Sequence, residues 1–126
     1  GVAKGYFSES RVRRANSTIR NILSIKSAFI DKIYYCPHHP EGIVKRYTKV
    51  CRCRKPGTGM LEKAEFDFNI DLKSSYLVGD KLTDIKAGKV VGCRTILVSL
   101  DKVTKEADYV AKDLYEAVEW ILRSSK

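Results

Sequence analysis

The sequence predicts an α/β protein built on a mostly parallel sheet. Three observations carry that expectation. Ser75-Tyr76-Leu77-Val78 and Thr95-Ile96-Leu97-Val98 are short, continuously apolar runs of the kind found in strands covered on both faces. A helical stretch from Leu82 to about Val91 separates them and is stopped by Gly92. A further helical pattern closes the chain, so strand and helix alternate as they do in parallel α/β folds.

The earlier part of the chain divides in two. Residues 8–29 read as an amphipathic helix, with Val12, Ala15, Ile19, Ile22, Leu23 and Phe29 at three- and four-residue spacing and Ser8 or Ser10 as N-cap. Lys32-Ile33-Tyr34-Tyr35 is β-prone and reads as a short strand that stops at Cys36-Pro37. Residues 36–56 show no periodicity and hold three of the four cysteines, both histidines and all three prolines. Such a segment needs something other than an apolar core to fix it.

Beyond Pro56 the pattern is regular. Thr58 to Phe68 reads as a helix with Leu61, Ala64, Glu65 and Phe68 along one face and Met60 beside it. Tyr109-Val110 reads as a short edge strand. Leu114, Ala117, Val118, Ile121 and Leu122 mark the last helix, with Trp120 beside that face. Cys93, at a strand start, reads as a small core hydrophobe.

Length and composition bound the function. The 126 residues, 44% of them hydrophobic, suit one globular domain, and a mean hydropathy of −0.28 excludes neither a core nor solubility. No run of about 18 apolar residues and no signal-like start is present, so a cytoplasmic location without membrane contact is expected. The net charge of +9 suggests an anionic partner, but it is unevenly placed. Residues 1–56 carry 13 basic and 3 acidic side chains, whereas residues 57–126 carry 11 and 12.

Cys36-Pro37-His38 and Cys51-Arg52-Cys53 bring three thiols and an imidazole to the ends of one loop, 36–53. Four N/S donors in two close pairs suit a tetrahedral structural Zn²⁺ with no open position for water. His39 competes with His38 as ligand, and His38 is preferred because Cys-x-His mirrors Cys-x-Cys. A disulfide is the weaker reading, since Cys51 and Cys53 are too close in sequence to bridge well and no secretory signal is present. Two unrelated cysteine pairs are the bland alternative.

Arg54-Lys55-Pro56 follows directly on the last of these ligands, so a metal-fixed loop would aim two cations at one point. Arg54 offers a planar fork for phosphate or vicinal oxygens, and Lys55 a compact charge for a transferring phosphoryl group. Two solvated charges are the alternative. In Val78-Gly79-Asp80-Lys81-Leu82-Thr83-Asp84, Asp80 lies at the carboxyl end of a buried strand, where α/β proteins place ligands. A carboxylate there suits Mg²⁺, or Asp80 is simply the N-cap of the next helix. Asp84, one turn on, supports the site from behind or pairs with a lysine, and Lys81 meets a substrate phosphate.

Taken in order, Tyr34-Tyr35-Cys36-Pro37-His38-His39-Pro40, Cys51-Arg52-Cys53-Arg54-Lys55-Pro56, Gly59-Met60-Leu61 and Tyr76-Leu77-Val78-Gly79-Asp80-Lys81-Leu82-Thr83-Asp84 resemble the later part of a haloacid-dehalogenase-like phosphatase. Within that family they are most similar to the phosphatases acting on D-glycero-D-manno-heptose 1,7-bisphosphate. The resemblance implies a Rossmann-like parallel sheet with an inserted zinc loop. It implies hydrolysis of a sugar phosphate monoester through an aspartyl-phosphate, serving synthesis of the heptose precursor of lipopolysaccharide. It assigns Cys36, His38, Cys51 and Cys53 to Zn²⁺, Arg54 to substrate recognition, Lys55 to phosphoryl stabilisation, Asp80 to Mg²⁺ and Lys81 to substrate.

One expected part is missing from the 126 residues. They contain no strand ending Asp-x-Asp-Gly, the source of nucleophile and general acid in that family, and Gly1 to Phe7 is similar to the segment after the second family motif. The resemblance therefore implies one partial domain, inactive by itself, whose exposed strand edge pairs with an N-terminal segment or with another copy. A histidinol-phosphate phosphatase is the alternative within the family. A zinc-stabilised nucleic-acid-binding module is the alternative outside it, resting on the basic first half with Tyr34, Tyr35 and Tyr47. It leaves Gly79-Asp80-Lys81 at a strand end unexplained, so no nucleic-acid partner is expected.

Overall fold

The computed structural model describes residues 9–34 and 57–125. The chain divides into two compact units, Gly1–Arg54 and Lys55–Lys126, and the described residues of each are taken in turn.

In the first unit, helix α1 spans Glu9–Ile25. It ends four residues before the expected limit because Ser27 takes a left-handed conformation, φ 62°. The amide of Ala28 then returns to the carbonyl of Leu23 at 2.9 Å and that of Ser27 to Ser24 at 3.0 Å, a Schellman closure that satisfies the last carbonyls. Phe29 therefore lies beyond the helix. Residues 32–34 form no strand, contrary to the sequence expectation: a β-prone run becomes a strand only with a ladder partner, and none pairs with it among the described residues.

The second unit holds helix α2 (Gly59–Phe68), a 3₁₀ turn (Leu72–Ser74), strand β1 (Tyr76–Gly79), helix α3 (Leu82–Val90), strands β2 (Arg94–Val98) and β3 (Tyr109–Ala111), and helix α4 (Leu114–Ser124). The three strands form a parallel sheet in the order β1-β2-β3, with Gly79 level with Leu97 and Val98 level with Ala111. The parallel α/β expectation therefore holds, and each predicted strand and helix of this unit is present within a residue or two.

The pleat assigns the two faces. Leu77, Thr95 and Leu97 face α3, where a β-carbon at Gly88 would stand 2.8 Å from Thr95 Cγ2 and 3.2 Å from Leu77 Cβ. Glycine is what lets this helix lie so close to the sheet. Tyr76, Val78, Ile96, Val98, Tyr109 and Ala111 face α4, packing on Ala117, Trp120 and Ile121. One helix thus covers each face. Ile85, Ile96 and Leu97 are fully buried, each contributing about 1.5–3 kcal/mol of apolar burial. Cys93 is buried as expected, and that burial pushes its thiol pKa up.

Helix ends are fixed by named contacts. Asn69 closes α2 in a left-handed conformation (φ 52°), and Ile70 N–H donates to Glu65 O at 3.3 Å. Gly92 (φ 89°) closes α3, with Cys93 N–H donating to Gly88 O at 2.9 Å and Gly92 N–H to Lys89 O at 3.1 Å. Asp113 caps α4, its carboxylate accepting Glu116 N–H at 2.8 Å.

At the amino end of the sheet, aromatic packing takes up a cation. Tyr109 stacks on Trp120 at 5.0 Å, Tyr76 meets Trp120 edge-on at 6.2 Å, and the Arg94 guanidinium lies 4.9 Å from the Trp120 ring centre. Tyr109 Oη donates to Glu116 Oε1 at 3.0 Å, and this bond to a carboxylate holds the phenol above its ordinary pKa. These side chains pack the amino end of the sheet.

Candidate active site

The carboxyl edge of the sheet is where β1 gives way to α3. Parallel strands carry their chain to this edge before each crossover, so side chains from successive connections gather there. Of the predicted site residues, Asp80, Lys81 and Asp84 are described, and all three sit at this strand-to-helix turn. Cys36, His38, Cys51, Cys53, Arg54 and Lys55 lie outside the described residues.

The three described residues divide the work. Asp84 is buried, 5% exposed, and its Oδ2 accepts the backbone N–H of Lys81 at 3.2 Å. It occupies the third helical position and reaches back to the residue preceding the helix, half of a capping box. Lys81 is the N-cap residue, in extended conformation, and its carbonyl accepts Asp84 N–H at 3.1 Å. Asp80 does not cap α3. That alternative from the sequence is corrected, because the helix begins at Leu82 and Lys81, not Asp80, holds the N-cap position.

Asp80 and Lys81 are therefore exposed, on a turn whose backbone is held from behind. Gly79 makes this geometry possible. A β-carbon there would fall 2.5 Å from Asp84 Oδ2 and 2.6 Å from its Cγ, closer than real contacts allow. The sequence signals Gly79 only as a strand end. Which side chain fills the space beside it depends on the helix folding back, and so is a tertiary fact.

An exposed carboxylate on a fixed turn, beside a lysine, fits a hard divalent cation such as Mg²⁺, which commonly takes one or two protein carboxylates with phosphate and water. Among the described residues no group of three or more His, Cys, Asp or Glu converges. Among the described residues, Asp80 is the carboxylate that could serve such a site, on a turn that Asp84 holds. No described helix is long and apolar enough to cross a membrane.

The HAD-hydrolase-like family model matches residues 52–117, a span that contains this turn and the whole sheet. The chain belongs to that family. Among curated relatives, it is 46% identical over 107 residues to the D-glycero-alpha-D-manno-heptose-1,7-bisphosphate 7-phosphatase of Photorhabdus laumondii, covering 84% of this chain and 58% of that one. It is 37% identical over 126 residues to the D-glycero-beta-D-manno-heptose-1,7-bisphosphate 7-phosphatase of Escherichia coli K12, covering 98% and 62%. The chain thus spans about three fifths of the length of these relatives. Among solved structures, a HAD-like protein of Mesorhizobium loti superposes with a TM-score of 0.83 at 30% identity, covering 99% of this chain and 61% of that one. The D,D-heptose 1,7-bisphosphate phosphatase of B. bronchiseptica, complexed with magnesium and phosphate, superposes with a TM-score of 0.81 at 26% identity, covering 98% and 70%.

Proposed function

We propose that the protein is a phosphomonoesterase of sugar phosphates whose substrate is D-glycero-D-manno-heptose 1,7-bisphosphate, cleaved at the 7-phosphate. The observation that carries this is the Gly79-Asp80-Lys81 turn at the carboxyl edge of a parallel sheet, locked by Asp84 and leaving Asp80 and Lys81 exposed. The named activity of the Photorhabdus and Escherichia relatives supports the substrate, and the magnesium and phosphate of the B. bronchiseptica complex support the metal.

In this reading Asp80 holds Mg²⁺, which neutralises phosphate charge when bound. Lys81 contacts a substrate phosphate, Arg54 recognises substrate and Lys55 stabilises the phosphoryl group in transfer. Asp84 keeps the turn in place. The nucleophile and general acid belong to a strand that the 126 residues do not contain, so hydrolysis is assigned to the whole protein. The outer edge of β1 has no ladder partner among the described residues, which supports strand pairing there, with a segment outside the 126 residues or between copies.

Cys36, His38, Cys51 and Cys53 are assigned to a structural Zn²⁺ on the chemistry of their donor set, three thiolates and one imidazole in two close pairs. The zinc would fix loop 36–53 within one phosphatase domain and so aim Arg54 and Lys55. Thiolate ligands suit a reducing compartment, which supports a cytoplasmic location.

The test is phosphate release by the protein at its natural length, with Mg²⁺, from heptose 1,7-bisphosphate and from histidinol phosphate. Preference for the heptose is expected. Preference for histidinol phosphate, or release from neither, overturns the reading.

A further inference from the structure

The connection from β2 to β3, residues 99–108, contains no helix, although neighbouring parallel strands usually need a longer crossover. By Asp108 the chain is back at the amino end of the sheet, where Asp108 N–H donates to Thr95 O at 2.9 Å. Its first residues nonetheless stay at the carboxyl edge. Ser99 N–H donates to the carbonyl of Ala111, the last residue of β3, at 2.8 Å, which pins Ser99 level with the strand ends. Ser99 Oγ donates to Asp101 Oδ1 at 3.2 Å and accepts Lys102 N–H at 3.1 Å. A serine-centred turn thus holds Lys102 at the edge.

That edge adjoins Asp80. β1 and β2 are paired neighbours with Gly79 level with Leu97, so Asp80 and Lys81 leave the sheet beside the point where Val98 and Ser99 do. Lys102 is exposed, and Leu100 and Val103 on either side of it are 88% and 97% exposed. The turn spends its order on a charged residue and buries neither apolar neighbour. Lys81, two residues past the end of β1, and Lys102, four past the end of β2 and tied by its N–H to Ser99, thus leave the same edge of the sheet from neighbouring strands.

We infer that Lys102 is a substrate-binding residue that contacts the phosphate retained on the sugar. The inference rests on the phosphatase reading above. Lysine binds phosphate as a point charge, so its loss should cost affinity for the group it meets and leave the chemical step alone.

The test compares the natural-length protein with Lys102→Gln, Lys102→Arg and, as a control at the other end of α3, Lys89→Gln. Each is assayed on heptose 1,7-bisphosphate and on heptose 7-phosphate, which lacks the retained phosphate. Lys102→Gln should raise KM for the bisphosphate about tenfold with kcat within about twofold, and leave KM for the 7-phosphate unchanged. Lys102→Arg should recover most of the loss, and Lys89→Gln should behave as the unaltered protein. If the unaltered protein hydrolyses neither compound, the phosphatase reading falls and this inference with it. If it is active and Lys102→Gln changes neither KM, or raises both equally, the assignment of Lys102 alone is overturned.

Discussion

Gly79 and Asp84 occupy the same small space. The carboxylate of Asp84 stands where the side chain of any other residue at 79 would begin, with Oδ2 2.5 Å and Cγ 2.6 Å from that β-carbon position. The strand end, the helix start and the exposed Asp80 between them are consequences of this one fit.

Gly79→Ala should accordingly be felt twice. Displacing Asp84 breaks its bond to Lys81 N–H, and overpacking of this kind costs about 1–3 kcal/mol. Urea denaturation followed by circular dichroism should show a lower midpoint, and phosphatase activity should fall further than stability does because Asp80 moves with the turn. Gly79→Ala with an unchanged midpoint would mean that the contact yields freely.

Thr95 and Asp108 tie the start of β2 to the chain entering β3. Thr95 is fully buried, and the Asp108 carboxylate accepts its N–H at 2.7 Å and its hydroxyl at 3.3 Å. Asp108→Ala leaves a buried N–H without its acceptor, a loss of about 1–3 kcal/mol. The same denaturation measurement checks this. Because the pair lies at the amino end of the sheet, KM should not change.

Much of this architecture was legible because burial imposes composition. Tyr76-Leu77-Val78 and Ile96-Leu97-Val98 are covered by α3 and α4 and so read as apolar runs. Gly92 announced the end of α3, where a left-handed residue is required. Ser27 and Asn69 adopt the same conformation without a glycine, so the sequence carries no stop signal at Ile25 and the helical spacing runs on to Phe29. Lys32 to Tyr34 has strand composition, yet the sheet among the described residues is built from β1, β2 and β3 alone, and composition cannot say which runs join a ladder. At the site, Asp80 was legible as a strand-end carboxylate. Its freedom from capping is not, because that depends on the helix beginning at Leu82 with Lys81 as its N-cap. The edge turn at Ser99 was missed, and its only sequence signal is the Ser-x-Asp spacing of Ser99 and Asp101 directly after an apolar strand.

Asp80→Asn asks whether the carboxylate at this strand end carries the metal of a phosphatase. The measurement is Mg²⁺-dependent phosphate release from heptose 1,7-bisphosphate by the natural-length protein. Asp80 is exposed and makes no capping bond, so the variant should fold with an unchanged denaturation midpoint. A fall in kcat/KM of about a hundredfold or more is expected, with half-saturation moved to higher Mg²⁺. An Asp80→Asn protein that releases phosphate at the original rate with the original Mg²⁺ dependence would contradict it.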